Sequence, residues 1–119
     1  MSQRLVSALK ELTGGYHENA PRNAAYPYAV FTATQLGEDD GKQTYSLEVN
    51  VWDQNEYYSR AESRMDALEG KLHRCNFQGR GFLIRIFKGR RQNVPDPDKS
   101  IKRVREQFEM QVYELEDEG

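Results

Sequence analysis

The sequence predicts an α+β fold. One domain is expected over residues 1–119, ordered α-β-β-α-β-β, with a four-stranded, mainly antiparallel sheet and both helices on one face. Three observations predict it. Two segments carry apolar residues at helical spacing on one side only. Several others alternate apolar and polar residues with period two. And 119 residues is one domain's worth of chain, since domains most often run about 100–150 residues.

The first helix is read from Ser2 to Leu12. Ser2 can cap it, Leu5, Val6, Leu9 and Leu12 share a face, and Gly14-Gly15 stops it. Tyr16 to Pro27 reads as a loop, broken by Asn19, Pro21, Asn23 and Pro27. A strand follows from Tyr28 to Leu36, then a polar turn at Glu38-Asp39-Asp40-Gly41. In the next strand Tyr45, Leu47, Val49 and Val51 alternate with Ser46, Glu48 and Asn50, giving one dry face and one wet face. The second helix is expected to start near Asp53 or Asn55, with Asp53 and Glu56 spaced as a capping box. Its apolar stripe is Tyr58, Ala61, Met65, Leu68 and Leu72.

Asn76 to Gly81 reads as a turn. Phe82, Ile84 and Ile86 form a third strand, which Gly89-Arg90-Arg91 leaves. Pro95-Asp96-Pro97-Asp98 cannot continue a ladder, because proline lacks the backbone donor. In the last segment Val104, Glu106, Phe108, Met110 and Val112 alternate with Arg105, Gln107, Glu109 and Gln111. That period predicts a long strand, although Glu and Gln also suit a helix. Residues 114–119 are expected to be a frayed acidic tail.

Composition excludes several classes. Apolar residues are 37% and charged residues 30%, so the core is thin and the surface highly charged. No run approaches the roughly 18 apolar residues of a membrane helix, and the N-terminus lacks a signal-like apolar region. The one cysteine, Cys75, excludes an intrachain disulfide framework and a zinc site built on several thiolates. Thirteen aromatic residues are too many for a solvated coil. The formal net charge of −2 conceals segregation: residues 1–79 carry −3, residues 80–105 carry +7, and residues 106–119 carry −6. Such patches either meet complementary surfaces on other molecules or pair within the fold.

Motifs for chemistry are sparse. His17 and His73 lie far apart and read as surface residues, and Cys75 reads as a small buried side chain. There is no phosphate-binding G-x-x-x-x-G-K-[ST] loop, and Glu38-Asp39-Asp40 lacks the spacing of a calcium loop. No catalytic, cofactor-binding or metal-binding residue is assigned, and no cofactor is expected. Phe87, Lys88, Arg90 and Arg91 mix an aromatic with cations, as nucleic-acid sites do. A pI near 5.7 weighs against a dedicated nucleic-acid binder.

Three stretches in order carry a family resemblance. Tyr26-Pro27-Tyr28-Ala29-Val30-Phe31 opens the first strand. Thr44-Tyr45-Ser46-Leu47-Glu48-Val49-Asn50-Val51-Trp52-Asp53 runs toward the second helix. Phe108-Glu109-Met110-Gln111-Val112-Tyr113 closes the chain. This layout resembles the tail terminator or tail-completion proteins of long-tailed bacteriophages and prophages; head–tail connector proteins share a similar outline.

The resemblance implies a non-enzymatic subunit that closes into a ring, typically a hexamer, on the end of the tail tube. The ring would stop tube growth and offer a surface to the head connector. The partners it implies are other copies, the tail-tube protein and the head-connector protein, with no membrane and no specific nucleic acid. The location it implies is the head–tail interface of the virion, after assembly in the bacterial cytoplasm. Tyr26, Tyr28, Trp52 and Asp53 match the family-like pattern, with Trp52 expected at the strand-to-helix corner and Asp53 as the helix cap. Arg85, Lys88, Arg90, Arg91, Arg103 and Arg105 are the candidates for protein contacts, and the loop Val94 to Ser100 is a candidate docking segment. Two alternatives remain at this point: another head–tail connector or minor capsid protein, and a small nucleic-acid-binding module using residues 85–105.

Overall fold

The computed structural model describes residues 1–115. Of the expected acidic tail, Glu114 ends a strand and Leu115 follows it, while 116–119 lie outside the described residues.

Helix α1 spans Gln3–Thr13. The Ser2 side chain accepts from Leu5 N at 3.2 Å, and Gly14, at φ 63°, donates its N–H to the Lys10 carbonyl. Leu5, Val6, Leu9 and Leu12 are buried on the expected face. The expected loop after it contains a short strand, β1, at Tyr16–His17. Two residues are too few to show a period, but Gly15 permits the approach: a Cβ there would stand 2.8 Å from the Ala29 carbonyl oxygen.

Strands β2 (Tyr28–Asp39) and β3 (Lys42–Gln54) form a hairpin. Its turn is Asp40-Gly41, both at positive φ, so pairing continues to Asp39↔Lys42 through residues that read as turn. Helix α2 (Ser59–Leu72) starts later than Asp53 or Asn55. The reason is pairing: β3 stays in register with the last strand through Gln54↔Ile101. Tyr58 occupies the N-cap position without a side-chain cap, so Asp53 is not the cap. Ala61, Met65, Leu68 and Leu72 form the buried stripe, as expected.

Asn76 to Gly81 is more than a turn, because Asn76–Gly79 is strand β4, paired with Phe82–Arg85. Strand β5 does not end at Gly89. It runs Phe82–Val94, with a bulge between Lys88 and Arg91. A Cβ at Gly89 would stand 2.6 Å from the Gln107 carbonyl oxygen, so glycine lets the strand bend without leaving its neighbour. Strand β6 (Ile101–Glu114) resolves the helix-or-strand ambiguity in favour of the strand.

The sheet therefore has six strands, ordered β1-β2-β3-β6-β5-β4, rather than four. It is mixed, since β1 runs parallel to β2 while every other pair is antiparallel. The two added strands are the short outermost ones. One face carries Phe31, Leu47, Val49, Val51, Ile84, Ile86, Phe108 and Met110, which pack with α1 and α2 into one cluster. Burying each such side chain is worth about 1.5–3 kcal/mol. The Cα radius of gyration is 15.2 Å, above the about 13.5 Å of a compact chain this long, and the long axis is 53 Å.

Two carboxylates interrupt the dry face, Asp53 at the end of β3 and Glu106 in the middle of β6. Glu106 is 1% exposed between Val104 and Phe108. The extra residue of the β5 bulge brings Arg91 opposite it. Arg91 Nε donates to Glu106 Oε1 at 2.7 Å, Nη1 to Asp66 Oδ1 at 2.6 Å and Nη2 to Glu69 Oε2 at 2.6 Å. Lys88 Nζ adds a contact to Glu69 at 3.4 Å. One guanidinium thus ties α2 to two strands, with the fork geometry that arginine supplies.

Burial pushes the Glu106 carboxyl up to about 7; Arg91 opposes the rise and the neighbouring Glu69 adds to it. For Glu69 burial also disfavours the charge, but Glu106, Arg91 and Lys88 outweigh it and hold its carboxyl below the usual range. Among the described residues, Glu106 Oε2 has no hydrogen-bond partner.

Two predictions follow from this clamp. Arg91→Leu strands a buried carboxylate and should cost about 3–5 kcal/mol in urea unfolding, and Arg91→Leu/Glu106→Leu should recover most of the loss. The second concerns pH. A raised folded pKa means the native state holds more protons than the unfolded chain, so the Glu106 contribution is complete below the usual carboxylate value and fades as pH rises through about 7. Glu106→Gln should therefore gain on wild type by on the order of 1–2 kcal/mol between pH 5 and pH 8. Parallel stability curves for the two proteins over that range would refute this assignment.

Candidate functional site

The face of the sheet away from the helices carries the polar partners of the core residues. Antiparallel registers stack them in rows across the strands. Tyr28, Trp52, Arg103 and Val94 form one row, and Val30, Asn50, Arg105 and Gln92 the next. Thr32, Glu48 and Gln107 form a third.

Trp52 is not at a strand-to-helix corner. It lies on this open face near the C-terminal end of β3, with the Arg103 guanidinium 4.9 Å from its ring centre. Arg103 Nε donates to Asn50 Oδ1 at 2.8 Å, and Asn50 Nδ2 donates to Glu48 Oε2 at 3.1 Å. Arg105 Nε stands 3.7 Å from Glu48 Oε1. The network covers Asn50, which is buried although it sits on the wet face. Beside the tryptophan, Tyr28 packs against Tyr26 with centroids 5.2 Å apart and against Tyr16 at 6.2 Å. Burial, then Tyr26 and Tyr16, push the Tyr28 phenol up. Tyr16 and Tyr26 remain exposed. A flat row of aromatics edged by a stacked arginine is the composition that protein contact surfaces favour.

The six candidate cations do not form one patch. Arg103 and Arg105 belong to the open face, as does Arg85, which stands 5.4 Å from the Phe87 ring centre. Arg91 and Lys88 point to the helix side and hold α2. Arg90 is exposed at the bulge and makes no ion pair among the described residues. Asp53 is fully buried; its carboxylate accepts from Arg60 Nε at 2.9 Å and from Arg60 Nη2, and so fixes the first turn of α2 from outside. The loop after Val94 is internally bonded, with Asp98 accepting from Ser100 N and Oγ at 2.9 and 2.7 Å.

Sequence reading missed Tyr16 as a member of this face, and missed the link of Glu48 and Asn50 to the arginines of β6. The strand alternation put Glu48 and Asn50 on its wet side, and only the pairing with β6 joins them to Arg103 and Arg105. Elsewhere, His73 Nδ1 accepts from Lys88 N at 3.0 Å, which assigns it to the end of α2. Cys75 is half-buried, and burial pushes its thiol up. Among the described residues no three His, Cys, Asp or Glu side chains gather as a metal site, and no helix is long and apolar enough to cross a membrane.

Trp52 is the only tryptophan, so its fluorescence reports on this row. Arg103→Met should leave the circular dichroism unchanged, increase acrylamide quenching of Trp52, and cost no more than about 2 kcal/mol in stability. Unaltered quenching would show that the arginine does not shield the ring.

Comparison with known proteins gives a consistent picture. Among curated proteins no match is found. A chain in the virion of a native gene transfer agent particle has the same fold, with a TM-score of 0.67 at 14% identity, over 88% of this chain and 84% of that one. The family model for the tail completion protein gp17 matches residues 3–113, from α1 to the end of β6. The chain belongs to the tail completion protein gp17 family, and its place is the tail of a phage-like virion.

Proposed function

We propose that this chain is one subunit of a closed ring, a hexamer, that ends the tail tube and offers its outer surface to the head connector. The observation that carries the reading is the family match along nearly the whole chain, residues 3–113. The open sheet face supports it. Tyr16, Tyr26, Tyr28 and Trp52 offer aromatic area at one end of that face, and Arg103 and Arg105 border it. In this reading Arg85, Arg90, Arg103 and Arg105 contact neighbouring proteins, whereas Arg91 and Lys88 serve the subunit's own fold. The role is structural, because binding and closure need complementary surfaces rather than reacting groups.

The test is assembly. The purified chain, alone and mixed with its tail-tube protein, is followed by light scattering and electron microscopy across protein concentration. Rings of uniform size that cap tubes and limit their length are the expected result. A chain that stays monomeric at every concentration, and leaves tube length unchanged, would overturn the proposal.

A further inference from the structure

The two outer long strands of the sheet are left partly uncovered, and their charges are opposite. On one side β1 pairs only with Val30 and Phe31 of β2, and Glu18 N donates to the Phe31 carbonyl at 2.9 Å. Beyond it, Thr32 to Asp39 have β3 on one side and no strand on the other among the described residues. On the far side β4 covers only Phe82–Arg85 of β5, while Arg74 N and the His73 ring reach Ile86 and Lys88. Gly89 to Asn93 then have β6 on one side and no strand on the other among the described residues.

Strand β2 with its turn carries Glu38, Asp39 and Asp40 and no base; β5 carries no acid, and since Arg91 and Lys88 are taken up by acids of the same subunit, Arg90 is the exposed cation of its free length. Leu36, at the β2 bulge, is 66% exposed beside the acidic end.

We infer that these two edges join successive copies: the acidic β2 edge of one subunit pairs with the basic β5 edge of the next. The occupant of each edge is a second copy of this chain. Exposed strand edges recruit strands, and main-chain hydrogen bonds supply the affinity. Charge supplies the selection. Two β2 edges brought together would oppose acids to acids, and two β5 edges bases to bases, which disfavours a two-fold dimer. Only the unlike pairing is complementary. It is head-to-tail, and head-to-tail contacts close into rings when the rotation allows. Within the subunit β2 and β5 run in opposite directions, since each of the pairs β2–β3, β3–β6 and β6–β5 is antiparallel. Successive subunits turned about one axis would therefore meet with antiparallel strands, the ordinary edge geometry.

This inference rests on the ring reading above and assigns its subunit contact. The test uses two variants and the wild type: Glu38→Lys/Asp39→Lys, which reverses the charge of the β2 edge, and Arg90→Glu, which reverses the uncommitted charge on the free length of β5 and leaves the Lys88 and Arg91 contacts to α2 in place. Circular dichroism and thermal melting first establish that each variant folds. Each alone should then need at least about tenfold more protein to assemble than wild type, the equivalent of about 1.4 kcal/mol. An equimolar mixture should assemble like wild type, because every contact is again unlike. If either variant alone assembles like wild type, or if the mixture stays monomeric where wild type assembles, the edge pairing is overturned while the ring reading stands. If wild type itself never assembles, with or without tail-tube protein, both fall.

Discussion

The Arg91 fork is the contact on which the arrangement of the helix layer depends. A glutamate at position 106 interrupts an otherwise apolar row, and a buried carboxylate without a partner would cost several kcal/mol. The β5 bulge adds one residue and turns Arg91, rather than its neighbour, toward that carboxylate. The same guanidinium reaches Asp66 and Glu69 on α2, so satisfying the buried acid also fixes where the helix lies. Asp53 with Arg60 fixes the start of the same helix. Charge on the helix side of the sheet is thereby committed to the subunit itself.

What is left over has a different character. On the open face a polar chain runs from Arg105 through Glu48 and Asn50 to Arg103, two cations to one carboxylate, and the last of these lies over Trp52. This network borders the aromatic area of Tyr16, Tyr26, Tyr28 and Trp52. The free lengths of β2 and β5 carry exposed charge of opposite sign, acidic on β2 and basic on β5.

Much of this was legible in the sequence, and the limits have physical causes. Leu5, Leu9, Met65 and Leu72 announce their helices, and the alternation from Tyr45 to Val51 announces β3, because burial imposes a period on apolar residues. The same alternation placed Glu106 on the dry side of β6. It could not name Arg91 as the partner, since the pairing depends on a bulge at Gly89 that has no periodic signal. Tyr16–His17 and Asn76–Gly79 escaped as strands because two and four residues are shorter than any detectable pattern. Asp53 read as a cap because an acid three residues before a glutamate fits a capping box. Pairing of β3 through Gln54 carried the strand past it, and Arg60 took its carboxylate instead. Charge segregation by segment was visible, but its division between faces and edges needed the strand order.

Edge pairing of the inferred kind would cover the free lengths of β2 and β5 on a subunit already folded. Hydrogen exchange on the isolated and the assembled chain tests it most directly. Slow exchange is expected in β3 and β6 in both states, and fast exchange that slows sharply on assembly at those amides of Thr32 to Asp39 and Gly89 to Asn93 that point away from β3 and β6. Contradiction would come from those two lengths exchanging equally fast in the assembled particle, with protection appearing elsewhere instead.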